Sequence, residues 1–113
     1  MFSDKSLEER KNESIRIKGK YPDRIPIIVK KDKNCTLEDI DKEKYLVPKD
    51  MSLSQFMFVI RKRIHLEPAT ALFILINGNL INGSKIMDHI FNEHKQEDGF
   101  LYVTYTSENT FGL

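Results

Sequence analysis

The 113-residue chain has one cysteine, no tryptophan, five glycines and four prolines. With only Cys35 present, no internal disulfide can form, and the thiol count suits a reducing compartment. The longest apolar runs fall far short of the roughly 20 residues a membrane-spanning helix needs. The opening Met-Phe-Ser-Asp-Lys-Ser-Leu-Glu-Glu-Arg has no apolar core of a secretory signal. The Asn-x-Ser/Thr sequons at Asn12, Asn34 and Asn82 are therefore read as chance matches, and a cytosolic protein is expected. The formal net charge is only +1, so no global field draws nucleic acid or an anionic bilayer. No Gly-rich phosphate loop occurs.

Catalytic and metal readings lack partners too. His65, His89 and His94 are the only histidines, and the last two miss the four-residue spacing that stacks ligands on one helix face. Cys35 has Lys30, Lys31 and Lys33 near it in sequence but no evident base. An incidental loop thiol is the simpler reading. Neither cofactor, metal nor enzymatic activity is expected.

What is present is a globular composition, 40% hydrophobic and 31% charged, long enough for one core. Ser6 and Glu9 have capping-box spacing before a charge-dense helix, whose stripe of Leu7, Ser14, Ile17 and Tyr21 is thin. Gly19 and Pro22 close it. Residues 24–31 read as a strand. A polar connection follows, with a helical turn expected over 37–40. Residues 45–48 make a short second strand whose proline suits an edge. Ser52 caps the strongest helix, 53–64, with Leu53, Met57, Ile60 and Ile64 facing the core and Phe56, Phe58 and Val59 widening its apolar surface. Residues 72–76 form a continuous apolar run, the pattern of a fully buried strand, before an Asn77-Gly78 turn. Ser84 is expected to cap a helix reaching His94, with Ile86, Ile90 and Phe91 inward. A strand over 100–105, rich in aromatic and β-branched residues, closes the chain.

The order helix, β, β, helix, β, helix, β implies an α+β chain with the ubiquitin-like β-grasp. A four-stranded mixed sheet, its first and last strands paired at the centre, would carry an N-terminal helical extension. The expected divisions are an extension over 1–22, a β-grasp domain over 23–106 and a flexible tail over 107–113. A buried strand that releases a tail near Gly112 is how a ubiquitin-like modifier presents its carboxylate.

The segment Lys44, Tyr45, Leu46, Val47 and Pro48, expected at a sheet edge, is a second constellation. An exposed edge is a template for an added strand. Phe56 and Val59 could wall one pocket beside it, and Ile17, Pro26, Leu46 and Phe100 another. The same residues could equally be ordinary core, which a small domain needs. Lys30, Lys31, Lys44, Arg61, Lys62 and Arg63 could flank such a groove and favour acidic peptides, or form a solvated face.

The blocks Lys20-Tyr-Pro-Asp-Arg-Ile-Pro26, Asp41-Lys-Glu-Lys-Tyr-Leu-Val-Pro48, Gln55-Phe-x-Phe-x-Ile-Arg-Lys-Arg-Ile-His-Leu66, Asn92-Glu-His94 and Asp98-Gly-Phe-Leu-Tyr-Val-Thr-Tyr105 resemble the autophagy ubiquitin-like modifiers of the GABARAP family. The resemblance runs from about Leu7 to Leu113. It implies a monomeric substrate of a conjugation cascade, with no nucleic-acid role. A processing cysteine protease would remove Leu113 and expose the Gly112 carboxylate. Activating and conjugating enzymes would then pass Gly112 to the amine of phosphatidylethanolamine. The expected location is the cytoplasm before conjugation, and autophagosome and related vesicle membranes after it.

The resemblance also implies a groove for cargo receptors bearing Trp/Phe/Tyr-x-x-Leu/Ile/Val motifs. Glu13, Ile17, Pro26, Lys44, Leu46 and Phe100 would form its aromatic pocket. Tyr45, Val47, Pro48, Met51, Phe56 and Val59 would form the aliphatic one, with Arg24 and Arg63 as a basic flank. The alternative is an unconjugated trafficking adaptor that binds receptors, tubulin or fusion factors through the same groove. Two departures stand out. The segment before Leu7 is short, so the family's first short helix is expected to be missing or frayed. Ile81-Asn82 replaces a proline pair after the third strand.

Overall fold

A computed structural model describes residues 1–107 of the chain. The N-terminal segment is ordered by its own chemistry. A single 3-10 turn, Phe2–Asp4, precedes α1, Leu7–Lys20. Ser6 Oγ accepts from the Glu9 amide at 3.1 Å, while Glu9 accepts from the Ser6 amide at 3.0 Å, the reciprocal cap expected from their spacing. The thin apolar stripe does not describe how α1 docks. Leu7 and Tyr21 are exposed, Ile15 more so, and the buried residue of the helix is Glu13.

Strand β1, Arg24–Lys31, follows Pro22, and β2, Lys44–Pro48, returns antiparallel to it. The connection between them contains no helical turn; Leu37 and Ile40 instead pack on the core. The Tyr105 hydroxyl fixes this loop by donating to the Glu38 carbonyl at 2.6 Å. Helix α2, Leu53–Arg63, is capped by Ser52 and Gln55 in a second reciprocal box. Phe58 points outward, 58% exposed, with Lys62 Nζ 4.7 Å from its ring centroid. Strand β3, Phe73–Ile76, turns through Asn77 and Gly78, both at positive φ, into β4, Asn79–Leu80. Helix α3, Met87–His94, and β5, Leu101–Thr106, complete the order.

The sheet runs β2-β1-β5-β3-β4, with β1 and β5 parallel at its centre. It has five strands where the sequence led to four; the addition is the two-residue β4. Strand β3 alternates: Ile74 and Ile76 are buried, while Phe73 and Leu75 are half-buried. The apolar run is therefore a two-faced strand, because the helices that bury its inner face leave its other face partly open. Helix α3 begins at Met87, later than a Ser84 cap would place it. Ser84 bonds Asn82 in a local turn, and the Met51 and Lys49 carbonyls accept the first helical amides, those of Met87 and Asp88.

Two apolar layers result. The larger joins Ile25, Ile27, Val29, Leu101, Val103 and Tyr105 to α2 and α3. The smaller lies on the opposite face, where Phe2, Ile28 and Phe100 meet and Ile17 and Tyr102 pack against them. Strand β1 contributes to both, which is why five successive residues from Ile25 are buried.

Candidate functional site

Strand β2 lies at one end of the sheet order, so one side of its backbone lacks a strand partner among the described residues. The register decides which groups face that side. The Val29 amide donates to Glu43 O and the Lys49 amide to Asp23 O. In an antiparallel ladder, directly bonded pairs alternate with unbonded ones. Between those two bonds, Ile27↔Tyr45 and Ile25↔Val47 are the inward-bonding pairs, and Ile28↔Lys44 and Pro26↔Leu46 are the intervening ones. The peptide groups of Lys44 and Leu46 therefore face the open edge. Pro26 lies opposite Leu46 in an unbonded pair, so its missing amide costs the β1–β2 ladder nothing. The outward Leu46 carbonyl accepts from the Arg24 guanidinium, whose Nη1 lies 3.3 Å away.

Beside this edge α1 and β2 enclose an open depression of about 970 Å3, lined by Glu13, Ile17, Lys44 and Leu46 together with Phe2 and Lys5. Glu13 is 6% exposed. It bridges the ammoniums of Lys5, at 2.6 Å, and Lys44. Burial alone would raise its pKa, but the hydrogen bonds and charges of Lys44 and Lys5 outweigh burial and hold it below the ordinary carboxylate value.

Four of the six residues expected for an aromatic pocket thus meet at one depression. Pro26 and Phe100 are buried, and Pro26 borders a different cavity of about 330 Å3, shared with Arg24 and Phe91. Phe2, which the sequence did not single out, covers Phe100. The signal for it was slender: one aromatic in an otherwise polar opening.

The aliphatic set divides. Tyr45, Val47 and Phe56 belong to the main core, the Tyr45 and Phe56 rings meeting edge-on at 5.7 Å. Met51, Val59 and Pro48 are half-buried around them. The even choice between core and groove therefore falls as core for Tyr45, Val47 and Phe56. The Tyr45 hydroxyl is buried without a hydrogen-bond partner among the described residues, and burial, ahead of the opposed charges of Arg63 and Asp41, raises its pKa. Arg63 pairs with Asp41 at 2.8 Å.

A second polar centre fastens α1 to the start of β5. Asp98, 2% exposed, accepts from Arg10 Nε at 3.0 Å, from the Phe100 amide at 3.0 Å and from the Tyr102 hydroxyl. Burial, then the hydrogen bond to Asp98, pushes the Tyr102 pKa well up. Gly99 sits beside this centre at φ +87°, and a Cβ there would overlap the Ser14 hydroxyl.

Among the described residues no catalytic constellation assembles. Cys35 is buried and its Sγ accepts from the Leu37 amide at 3.3 Å. Among the described residues no group of three or more His, Cys, Asp or Glu side chains could hold a metal, and no helix is long and apolar enough to cross a membrane. The expected conjugation residues Gly112 and Leu113 lie outside the described residues.

A β-grasp sheet preceded by a docked helix, with one open edge beside an apolar depression, defines a ubiquitin-like protein with an N-terminal extension. A family model described as "Autophagy protein Atg8 ubiquitin like" matches residues 9–112. Autophagy-related protein 8 of Schizosaccharomyces pombe is 55% identical over 109 residues, covering 96% of this chain and 90% of the relative. Autophagy-related protein 8B of Oryza sativa subsp. indica is 52% identical, covering 97% and 92%. The crystal structure of Trypanosoma brucei ATG8 superposes with a TM-score of 0.87 at 38% identity, covering 90% of this chain and 88% of that one. The chain belongs to the Atg8 family of autophagy ubiquitin-like modifiers.

Proposed function

We propose that the chain is lipidated through Gly112 and recruits cargo receptors to forming autophagosomes through the β2 edge. The observation that carries the receptor reading is the outward display of the Lys44 and Leu46 peptide groups beside the depression. An extended peptide can add there as a strand, its backbone supplying affinity and one side chain entering the depression for specificity. Lys44 and Leu46 flank the aromatic pocket, and Met51, Val59 and Pro48 offer the half-buried surface for the aliphatic residue. The narrower likeness to the GABARAP group rests on the blocks at 20–26, 41–48 and 55–66.

In the conjugation reading a cysteine protease cleaves after Gly112 and Leu113 leaves. An activating enzyme adenylates the carboxylate with ATP, releasing pyrophosphate; its cysteine thiolate displaces AMP to form a thioester, which passes to a conjugating enzyme's cysteine as the first thiolate departs. The ethanolamine nitrogen then attacks the carbonyl, an amide forms and the thiolate departs. Glycine suits this step because without a Cβ its carbonyl stays open to attack. The product carries two acyl chains on a protein whose described residues include no membrane-spanning helix.

Two measurements test the proposal separately. Gly112→Ala should leave the protein unlipidated and in the soluble fraction of starved cells, read by intact mass and flotation. Membrane association equal to wild type would sink conjugation and favour the unconjugated adaptor. Titration of a Trp-x-x-Leu peptide against Leu46→Ala should show weaker binding than wild type, and unchanged affinity would remove Leu46 from the pocket.

A further inference from the structure

The floor of the depression is made by a residue from the chain's own N-terminal segment. Phe2 is 7% exposed, and its ring stands edge-on to Phe100, with centroids 4.7 Å apart and an interplanar angle of 68°. Phe100 beneath it has no exposed surface. Lys5 and Lys44 each place their ammonium 5.8 Å from the Phe2 ring centroid, and Glu13 joins those two ammoniums to each other. Ile17 packs against the same ring cluster. Phe2 thus already has what the pocket offers an incoming aromatic side chain: an apolar floor, an aliphatic wall and a lysine at the rim.

We propose that Phe2 is an intramolecular occupant of the aromatic pocket, so that a peptide's aromatic side chain enters only after Phe2 leaves Phe100. The proposal rests on the groove reading above, because the place Phe2 fills is the one assigned there to the ligand. The hold on Phe2 is reversible in kind. The turn that carries it is three residues of 3-10 helix, which has little stability of its own. Its anchors are ring contacts with Phe100 and Tyr102, the Lys5–Glu13–Lys44 bridge and the Arg10 hydrogen bond to the Lys5 carbonyl. Apparent affinity for a peptide is then the intrinsic affinity reduced by the fraction of molecules whose pocket is open. A residue that merely walled the pocket would act oppositely, adding contact to the bound peptide.

The test is calorimetric titration of one acidic-flanked Trp-x-x-Leu peptide into the full chain, as wild type, Phe2→Ala and Leu46→Ala. The expected result is binding about 3- to 30-fold tighter for Phe2→Ala than for wild type, and weaker for Leu46→Ala. Binding to Phe2→Ala alone would also support the occupant. Affinity of Phe2→Ala equal to or below that of a binding wild type would overturn the occupant and leave the groove intact. Failure of both wild type and Phe2→Ala to bind would overturn the groove, and the occupant with it. If Phe2→Ala does not fold, a fluorinated phenylalanine at position 2 of the otherwise wild-type chain reads the same step. Saturating peptide should move its 19F resonance towards the solvent-exposed position, and an unmoved resonance would overturn the proposal.

Discussion

Replacing Asp98 should be among the most damaging single changes in the chain, and its cost follows from two of its three contacts, those with the Phe100 amide and Arg10. Asp98→Ala leaves the Phe100 amide without its acceptor, which costs about 1–3 kcal/mol for a buried donor. It also takes the carboxylate partner from Arg10, which keeps its bond to the Lys5 carbonyl. Breaking a fully buried ion pair costs about 3–5 kcal/mol, but the Arg10 side chain is 23% exposed, so water recovers part of that. A total of about 3 kcal/mol is reasonable. With an unfolding entropy of about 2.1 cal/mol/K per residue, that loss lowers Tm by about 12 °C. Asp98→Asn should fall between, since its amide oxygen can still accept from Phe100 while its NH2 group confronts Arg10. Urea unfolding of wild type, Arg10→Ala, Asp98→Ala and the double variant gives the coupling directly, expected at about 1–2 kcal/mol. A loss below about 1 kcal/mol for Asp98→Ala, or no coupling to Arg10, would refute the argument that this centre fastens α1 to β5.

Gly99→Ala should cost about 1–3 kcal/mol by chemical denaturation, because alanine is strained at φ +87° and overlaps Ser14; Gly19→Ala, in open space, should be neutral or stabilising. Phe56→Ala removes a ring with no exposed surface and should cost about 3–5 kcal/mol, read from the urea midpoint. The lowered Glu13 pKa contributes stability that is full above the ordinary carboxylate pKa of about 4.3 and lost as pH falls through the lower folded value. Wild type should therefore lose its advantage over Glu13→Gln as pH falls below the ordinary carboxylate pKa, and parallel pH profiles would contradict this. Burial pushes the Tyr105 hydroxyl up to about 12, so its contribution is full below the ordinary tyrosine pKa of about 10 and lost as pH rises through the folded value. Tyr105→Phe should flatten the alkaline limb of the stability profile.

The β-grasp was legible because its elements announce themselves locally. Ser6 and Ser52 each stand three residues before a Glu or Gln, Asn77-Gly78 punctuates β3, and β5 is a β-branched and aromatic run. What escaped depends on distant partners. Asn79–Leu80 is too short to show alternation and becomes a strand only because β3 is there to pair with it. Ser84 is a plausible cap until Asn82 takes its hydroxyl. Phe73 and Leu75 look as buried as Ile74 and Ile76, since an uninterrupted apolar run does not reveal which face will be covered. In the candidate site, Lys44 and Leu46 were legible from the proline that marks β2 as an edge. The position of Phe2 was not, because nothing near it in sequence anticipates a contact with Phe100 at the other end of the chain.

An open edge is a liability for a soluble protein, since unpaired backbone groups invite unwanted pairing. Here the chain shields both halves of the place where a peptide would add. Arg24 occupies the Leu46 carbonyl, and Phe2 occupies the surface of Phe100. Neither cover is a strand, so neither completes the ladder, and on the proposed reading a peptide would replace both, its backbone amide taking the Leu46 carbonyl and its aromatic ring the place of Phe2. Lys44 links the two halves, with its peptide groups at the edge and its ammonium between Glu13 and the Phe2 ring. The Asp98 centre reaches the same place, because Arg10 also donates to the Lys5 carbonyl at 2.7 Å and so ties the segment that carries Phe2. Loosening Asp98 should therefore destabilise the fold and raise peptide affinity together. A uniformly packed core offers no reason for those two effects to travel in opposite directions, so their joint appearance in Asp98→Asn would distinguish a tethered cover from an ordinary structural contact.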